Sequence, residues 1–153
     1  QAIEIEGFEA SLSWQTPLPG LALSGGYANL TGQTDGDGDG LIDEDLDGAN
    51  ISPDRINLAA DYSAGRFSAR AQARMYLERE FNDASTATDF EGYTLVDAFI
   101  SYRTDFGEIS LAAQNLTNEF FITYDSDTVR VTDSSRFFSG RGRTFTLSLR
   151  SEF

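Results

Sequence analysis

The sequence predicts an all-β chain and, within that class, an antiparallel up-and-down transmembrane β-barrel segment of about seven strands, an incomplete barrel. Three observations lead there. Apolar and polar residues alternate with period two over long stretches, the connections alternate between short and long, and aromatic residues gather at one end of the stretches. Composition agrees: 14 glycines, only 3 prolines, 12 Phe and 6 Tyr suit extended strands and tight turns better than helices.

The expected strands fall at about 3–15, 21–31, 55–63, 66–81, 93–104, 109–121 and 143–153. In the first, Phe8, Ala10, Leu12 and Trp14 alternate with Glu9, Ser11 and Ser13. The clearest alternation is in the fourth, where Phe67, Ala69, Ala71, Ala73, Met75 and Leu77 oppose Ser68, Arg70, Gln72, Arg74, Tyr76 and Glu78. In the fifth, Val96, Ala98, Ile100 and Tyr102 oppose Asp97, Ser101 and Arg103, with Phe99 interrupting the polar side. In the last, Phe145, Leu147, Leu149 and Phe153 oppose Thr146, Ser148, Arg150 and Glu152. Soluble strands usually run about 5–6 residues, whereas a tilted membrane strand needs about 9–11. These stretches fit the longer class.

Pro17–Gly20, Ser63–Arg66 and Asp105–Glu108 read as tight turns, while 32–54, 82–92 and 122–142 read as long loops. Short turns on one rim and long loops on the other are the outer-membrane pattern, with the turns periplasmic and the loops extracellular. That orientation places Trp14, Tyr62, Phe67, Tyr102 and Phe153 together at the periplasmic interface, on the apolar phase, as an aromatic girdle requires. The competing fold is a soluble β-sandwich or β-helix. Ala69, Ala71 and Ala73 would fill a sandwich core poorly, whereas acyl chains conform to small residues at little cost.

The net charge of −14 repels nucleic-acid phosphates, so no nucleic-acid partner is expected. With no cysteine and no histidine, disulfides, thiol chemistry, Ser-His-Asp triads and the usual zinc sites are excluded. No nucleophile–base pair stands out among the remaining residue types, so the chain is not expected to be an enzyme. No apolar run of about 18 residues exists for a membrane helix. The N-terminus lacks the pattern of a secretory leader, so the first part of the precursor is expected to lie upstream. Open edges in lipid leave backbone groups unpaired, so further strands are expected from outside these residues. A final strand ending in Phe153 fits recognition by the barrel-assembly machinery through strand pairing.

Gly7-Phe8-Glu9 opens one strand, Asn115-Leu116-Thr117-Asn118 precedes Phe120 and Phe121, and Gly140-Arg141-Gly142-Arg143-Thr144-Phe145 leads to Phe153. In this order and spacing the three motifs resemble the C-terminal barrel strands of TonB-dependent outer-membrane receptors. The resemblance covers most of the chain apart from the 32–54 loop. It implies a barrel of about 22 strands around an N-terminal plug, energised from the inner membrane, for uptake of siderophore-iron, cobalamin, sugars or similar scarce solutes. The partners it implies are outer-membrane lipid, the plug and the remaining strands.

The 32–54 loop carries Asp35, Asp37, Asp39 and Gly40, which match the first half of a calcium-binding loop. Ile42 fits the apolar position and Asp43 the ninth. Leu46 occupies the twelfth, where a bidentate Glu belongs, flanked by Asp45 and Asp47. Seven carboxylates between Asp35 and Asp47 repel one another unless a cation sits among them. Calcium is the expected ion, held by some of Asp35, Asp37, Asp39, Asp43, Asp45 and Asp47 in a structural, loop-ordering role. Arg70, Arg74, Glu78, Asp97 and Arg103 are expected on the barrel interior as a charge network, and Tyr124, Asp125 and Asp127 in an extracellular loop. The alternative function is a secreted, calcium-stabilised β-domain acting as a binding or adhesion module.

Overall fold

The computed structural model describes residues 2–128 and 138–151. Its strands are β1 (Ile3–Gln15), β2 (Leu21–Thr34), the short β3 (Glu44–Asp45), β4 (Arg55–Ala64), β5 (Phe67–Tyr76), β6 (Tyr93–Thr104), β7 (Gly107–Gln114) and β8 (Thr144–Ser151). A single turn of helix, α1 (Tyr124–Thr128), lies in the last long connection. The seven long strands form one sheet in the order β1-β2-β4-β5-β6-β7-β8, each antiparallel to the next, with β3 clipped to the end of β2. The sheet is an up-and-down meander that does not close, as a barrel segment should be.

Two expected strands end early. The 66–81 stretch forms a continuous ladder only to Tyr76, where Gly92 (φ 77°) turns the neighbouring chain just before β6 and a side chain would meet the Tyr76 carbonyl; pairing returns as an isolated bridge between Arg79 and Phe90. The 109–121 stretch stops at Gln114, because Asn115 adopts φ 49° and leaves extended geometry. The terminal Phe153 lies outside the described residues.

Register explains the alternation. Directly opposed residues share a face, so the faces can be followed across strands. One row runs Leu58, Ala73, Val96 and another Ala60, Ala71, Ala98, Ala113, Phe145. A third runs Tyr62, Ala69, Ile100, Leu111, Leu147. Every apolar phase therefore falls on the same side, with Leu12 74% and Leu147 68% exposed. On that side Phe67 opposes Tyr102, Tyr62 opposes Leu21, and Trp14 opposes Leu23, which sets four of the five girdle aromatics near the turn-bearing rim.

The turns are built as their lengths demand. Gly65 (φ 57°) starts the two-residue β4–β5 hairpin, where an L side chain would be strained. Gly20 (φ 83°) receives the Ser63 amide on its carbonyl at 2.9 Å, and a Cβ there would collide with the Ser63 carbonyl. Arg66 and Asp105 pair between adjacent hairpin tips. The sheet covers no interior of its own. The buried apolar residues among those described are Leu46, Ile51, Phe90 and Tyr124 from the long connections, plus Leu95 and Ala113 from strands. A secreted β-domain would need a core that these few residues do not supply.

Candidate functional site

The polar face carries the chemistry. Asp97 on β6 is 2% exposed and accepts from Gln72 Nε2 and Arg74 on β5 at 2.9 Å each. Its other oxygen accepts the Asn115 backbone N–H at 2.9 Å. One row nearer the tight turns on the same face, Arg70 pairs with Asp61 across β4 and β5 at 3.1 Å. Below them Ser63, Ser68, Ser101, Ser110 and Ser148 oppose one another in one row across five strands, and Ser68 and Ser101 hydrogen bond at 2.7 Å. The expected network thus joins Arg70, Arg74 and Asp97 on one face but divides into two ion pairs. Arg103 sits in a separate row with Glu108 and Arg150, and Glu78 lies past β5, in a rim pocket beside Glu4, Glu6 and Asp54. Alternation could place these residues on a face; it could not show that Asn115, 18 residues further along the chain, would complete the Asp97 shell.

Asn115 and Asn118 both take left-handed backbone, at φ 49° and 57°, which asparagine tolerates better than other residues with side chains. The Asn115 side chain donates to the Glu119 and Arg141 carbonyls and accepts the Glu119 N–H at 2.8 Å. The Asn118 carboxamide oxygen accepts the Arg143 N–H at 3.1 Å. The Asn115–Asn118 motif is therefore a turn that ends β7 and fastens the approach to β8.

Above the sheet, three long connections pack on one another. Phe90 is 3% exposed and meets Tyr93 and Tyr124 edge-on, with ring centroids 5.7 and 4.9 Å apart. Tyr93 also contacts Tyr76 and Phe121. Thr128 is fully buried; its hydroxyl accepts the Gly48 N–H at 2.9 Å and donates to the Tyr124 carbonyl at 2.8 Å. Tyr124, expected in an extracellular loop, is a buried member of this cluster, and burial pushes its phenol pKa up. Asp127 is also raised, by burial first and then by the charge of Glu91.

The acidic loop divides in two. The carboxylates of Asp35, Asp37 and Asp39 each offer an oxygen within 4.8 Å of the others. Asp35 accepts the Gly38 N–H and Asp39 the Leu41 N–H, which curls the loop around them. Glu44, absent from the expected ligands, brings its carboxylate to where a side chain on Gly36 would stand. Asp45 accepts from Gln33 and Asn82, Asp47 from Ala49 and Asn50, and the Asp43 carbonyl from Asn82. Leu46, in the twelfth position, is 5% exposed and buried in the loop cluster. The three carboxylates of the first half converge, and the rest of the segment docks against residues 82–85.

Comparison with known proteins places this geometry. A family model described as TonB dependent receptor-like, beta-barrel, matches residues 1–116. Among solved structures, the copper transporter OprC superposes with a TM-score of 0.73 at 19% identity, over 94% of this chain and 22% of that one. The likeness is one of fold, and the chain spans about a fifth of that protein's length. No curated protein matches in sequence. The chain belongs to the TonB-dependent receptor family and forms a segment of its β-barrel, in the bacterial outer membrane.

Proposed function

We propose that this segment works within an energised outer-membrane receptor that takes up a scarce solute, such as an iron chelate, cobalamin or a sugar, together with a plug and further strands from outside these residues. The observation that carries the reading is the one apolar face that continues in register from β1 to β8. Water against that face would cost roughly 25 cal/mol for every Å² left uncovered, and lipid removes the cost. The opposite face, polar and ion-paired, suits a hydrated or plugged lumen. Spin labels at Ala71 and Leu147 in the membrane-embedded full-length receptor are expected to collide with oxygen far more than with a water-soluble relaxant. Aqueous or immobilised spectra at both sites would overturn the reading.

For the acidic loop we propose calcium as a structural ion. The converging carboxylates of Asp35, Asp37 and Asp39 support this, because hard divalent cations take oxygen ligands in such turns. By holding that half, the ion orders the half that docks on Asn82 and Ser85. Calcium is expected to protect residues 35–48 of the full-length receptor from proteolysis. Equal cleavage in calcium and in chelator would remove the proposal.

A further inference from the structure

A cavity of about 330 Å³ opens between residues 89–93, residues 120–122 and α1. This is near the lower end of the volumes that hold small molecules. One wall is aromatic. Tyr93 and Phe121 stack with centroids 4.4 Å apart, and Phe120 stands at the mouth with 77% of its surface exposed. Tyr93 occupies the same phase of β6 as Asp97, so the cavity lies on the lumenal side at the loop-bearing end.

The charge around it has one sign. Asp89, Glu91 and Asp127 line the cavity, and no basic residue does so among those described. Asp89 uses one oxygen to accept the Phe81 N–H at 2.9 Å. Glu91 and Asp127 remain, close enough for their charges to interact, with Asp127 only partly exposed. Two neighbouring carboxylates with no basic residue in the described lining, set beside aromatic rings, are arranged to receive a positive charge. The rings decide its type. A hard metal ion asks for six to eight oxygens and gains nothing from Tyr93 or Phe120, whereas an ammonium or guanidinium on an organic body is attracted to ring faces and carboxylates together.

We infer that this cavity binds an organic cation, an ammonium or guanidinium group, with Glu91 and Asp127 supplying the counter-charge and Phe120, Phe121 and Tyr93 the ring faces. The inference deepens the uptake reading by naming a substrate class, and it rests on that reading for the ligand's arrival from the extracellular side.

The test titrates benzyltrimethylammonium into the detergent-solubilised full-length receptor, with its neutral isostere neopentylbenzene as a control. The cation is expected to bind and the neutral compound not to. The double variant Glu91→Gln, Asp127→Asn is expected to weaken binding about tenfold or more, which corresponds to about 1.4 kcal/mol. Phe120→Leu, which keeps apolar bulk but removes the ring, is expected to weaken it by a smaller factor. Heat-modifiable migration on gels verifies that each variant remains a folded barrel. Unchanged affinity in the double variant, or equal binding of the neutral compound, overturns the inference. Failure of the uptake reading shows separately, as loss of the lipid signature at Ala71 and Leu147 irrespective of any titration.

Discussion

Ala71→Arg is expected to destabilise the assembled barrel by about 2–4 kcal/mol, the cost of an arginine on the lipid side near mid-depth. Ala71 lies in the middle of β5, opposed by Ala60 on β4 and Ala98 on β6. Its flanking rows hold no charge, so a guanidinium there has no carboxylate within the sheet to meet it. Ala59→Arg is the control. It occupies nearly the same depth but the other face, opposite Ser24 and Gln72, and is expected to change stability by about 0.5 kcal/mol or less. Denaturant titration of the full-length receptor in bilayers, read by tryptophan fluorescence, gives both values. Equal costs for the two substitutions would mean that the faces do not differ in solvent.

Asp97→Ala should cost about 3 kcal/mol, because it strands three groups at once. Arg74 and Gln72 lose the carboxylate oxygen they share, and the Asn115 N–H loses its acceptor at the point where β7 ends. Arg74 is 40% exposed and can turn partly to water, which holds the figure below that for a fully buried pair. Asp97→Asn retains an acceptor for one donor and should cost less than the alanine. A further reading separates the roles: with alanine, amide exchange at Asn115 and in the β8 ladder should quicken, since the same carboxylate fixes that turn. Retained protection at Asn115 together with unchanged stability would show that Asp97 holds nothing in place.

How far the sequence reveals these features depends on the range of the interaction. Period two is a local property, so the faces of Leu58, Ala71 and Leu147 are legible without any structure, and so is the aromatic rim formed by Trp14, Tyr62, Phe67 and Tyr102. Strand ends are less legible. Leu77 continues the alternation of β5 in sequence, yet the regular ladder breaks after Tyr76 opposite Gly92, from another segment, and returns only as the Arg79–Phe90 bridge. Contacts between loops leave no local trace. Gly48 meets Thr128 across eighty residues, and neither the cluster around Phe90 nor the helical turn α1 has a periodic signal. In the acidic loop, spacing singles out alternate carboxylates, and those of Asp35, Asp37 and Asp39 lie close together, but spacing carries no trace of the amide donors that meet Asp45 and Asp47 or of the approach of Glu44 to Gly36.

The meander has an architectural corollary. Each long strand pairs only with its predecessor and successor, so the sheet can lengthen or shorten without rewiring any other ladder. A single added strand, however, would reverse the direction of all that follow and carry tight turns to the opposite rim. Growth that keeps the loops outside must therefore proceed by whole hairpins, two strands at a time.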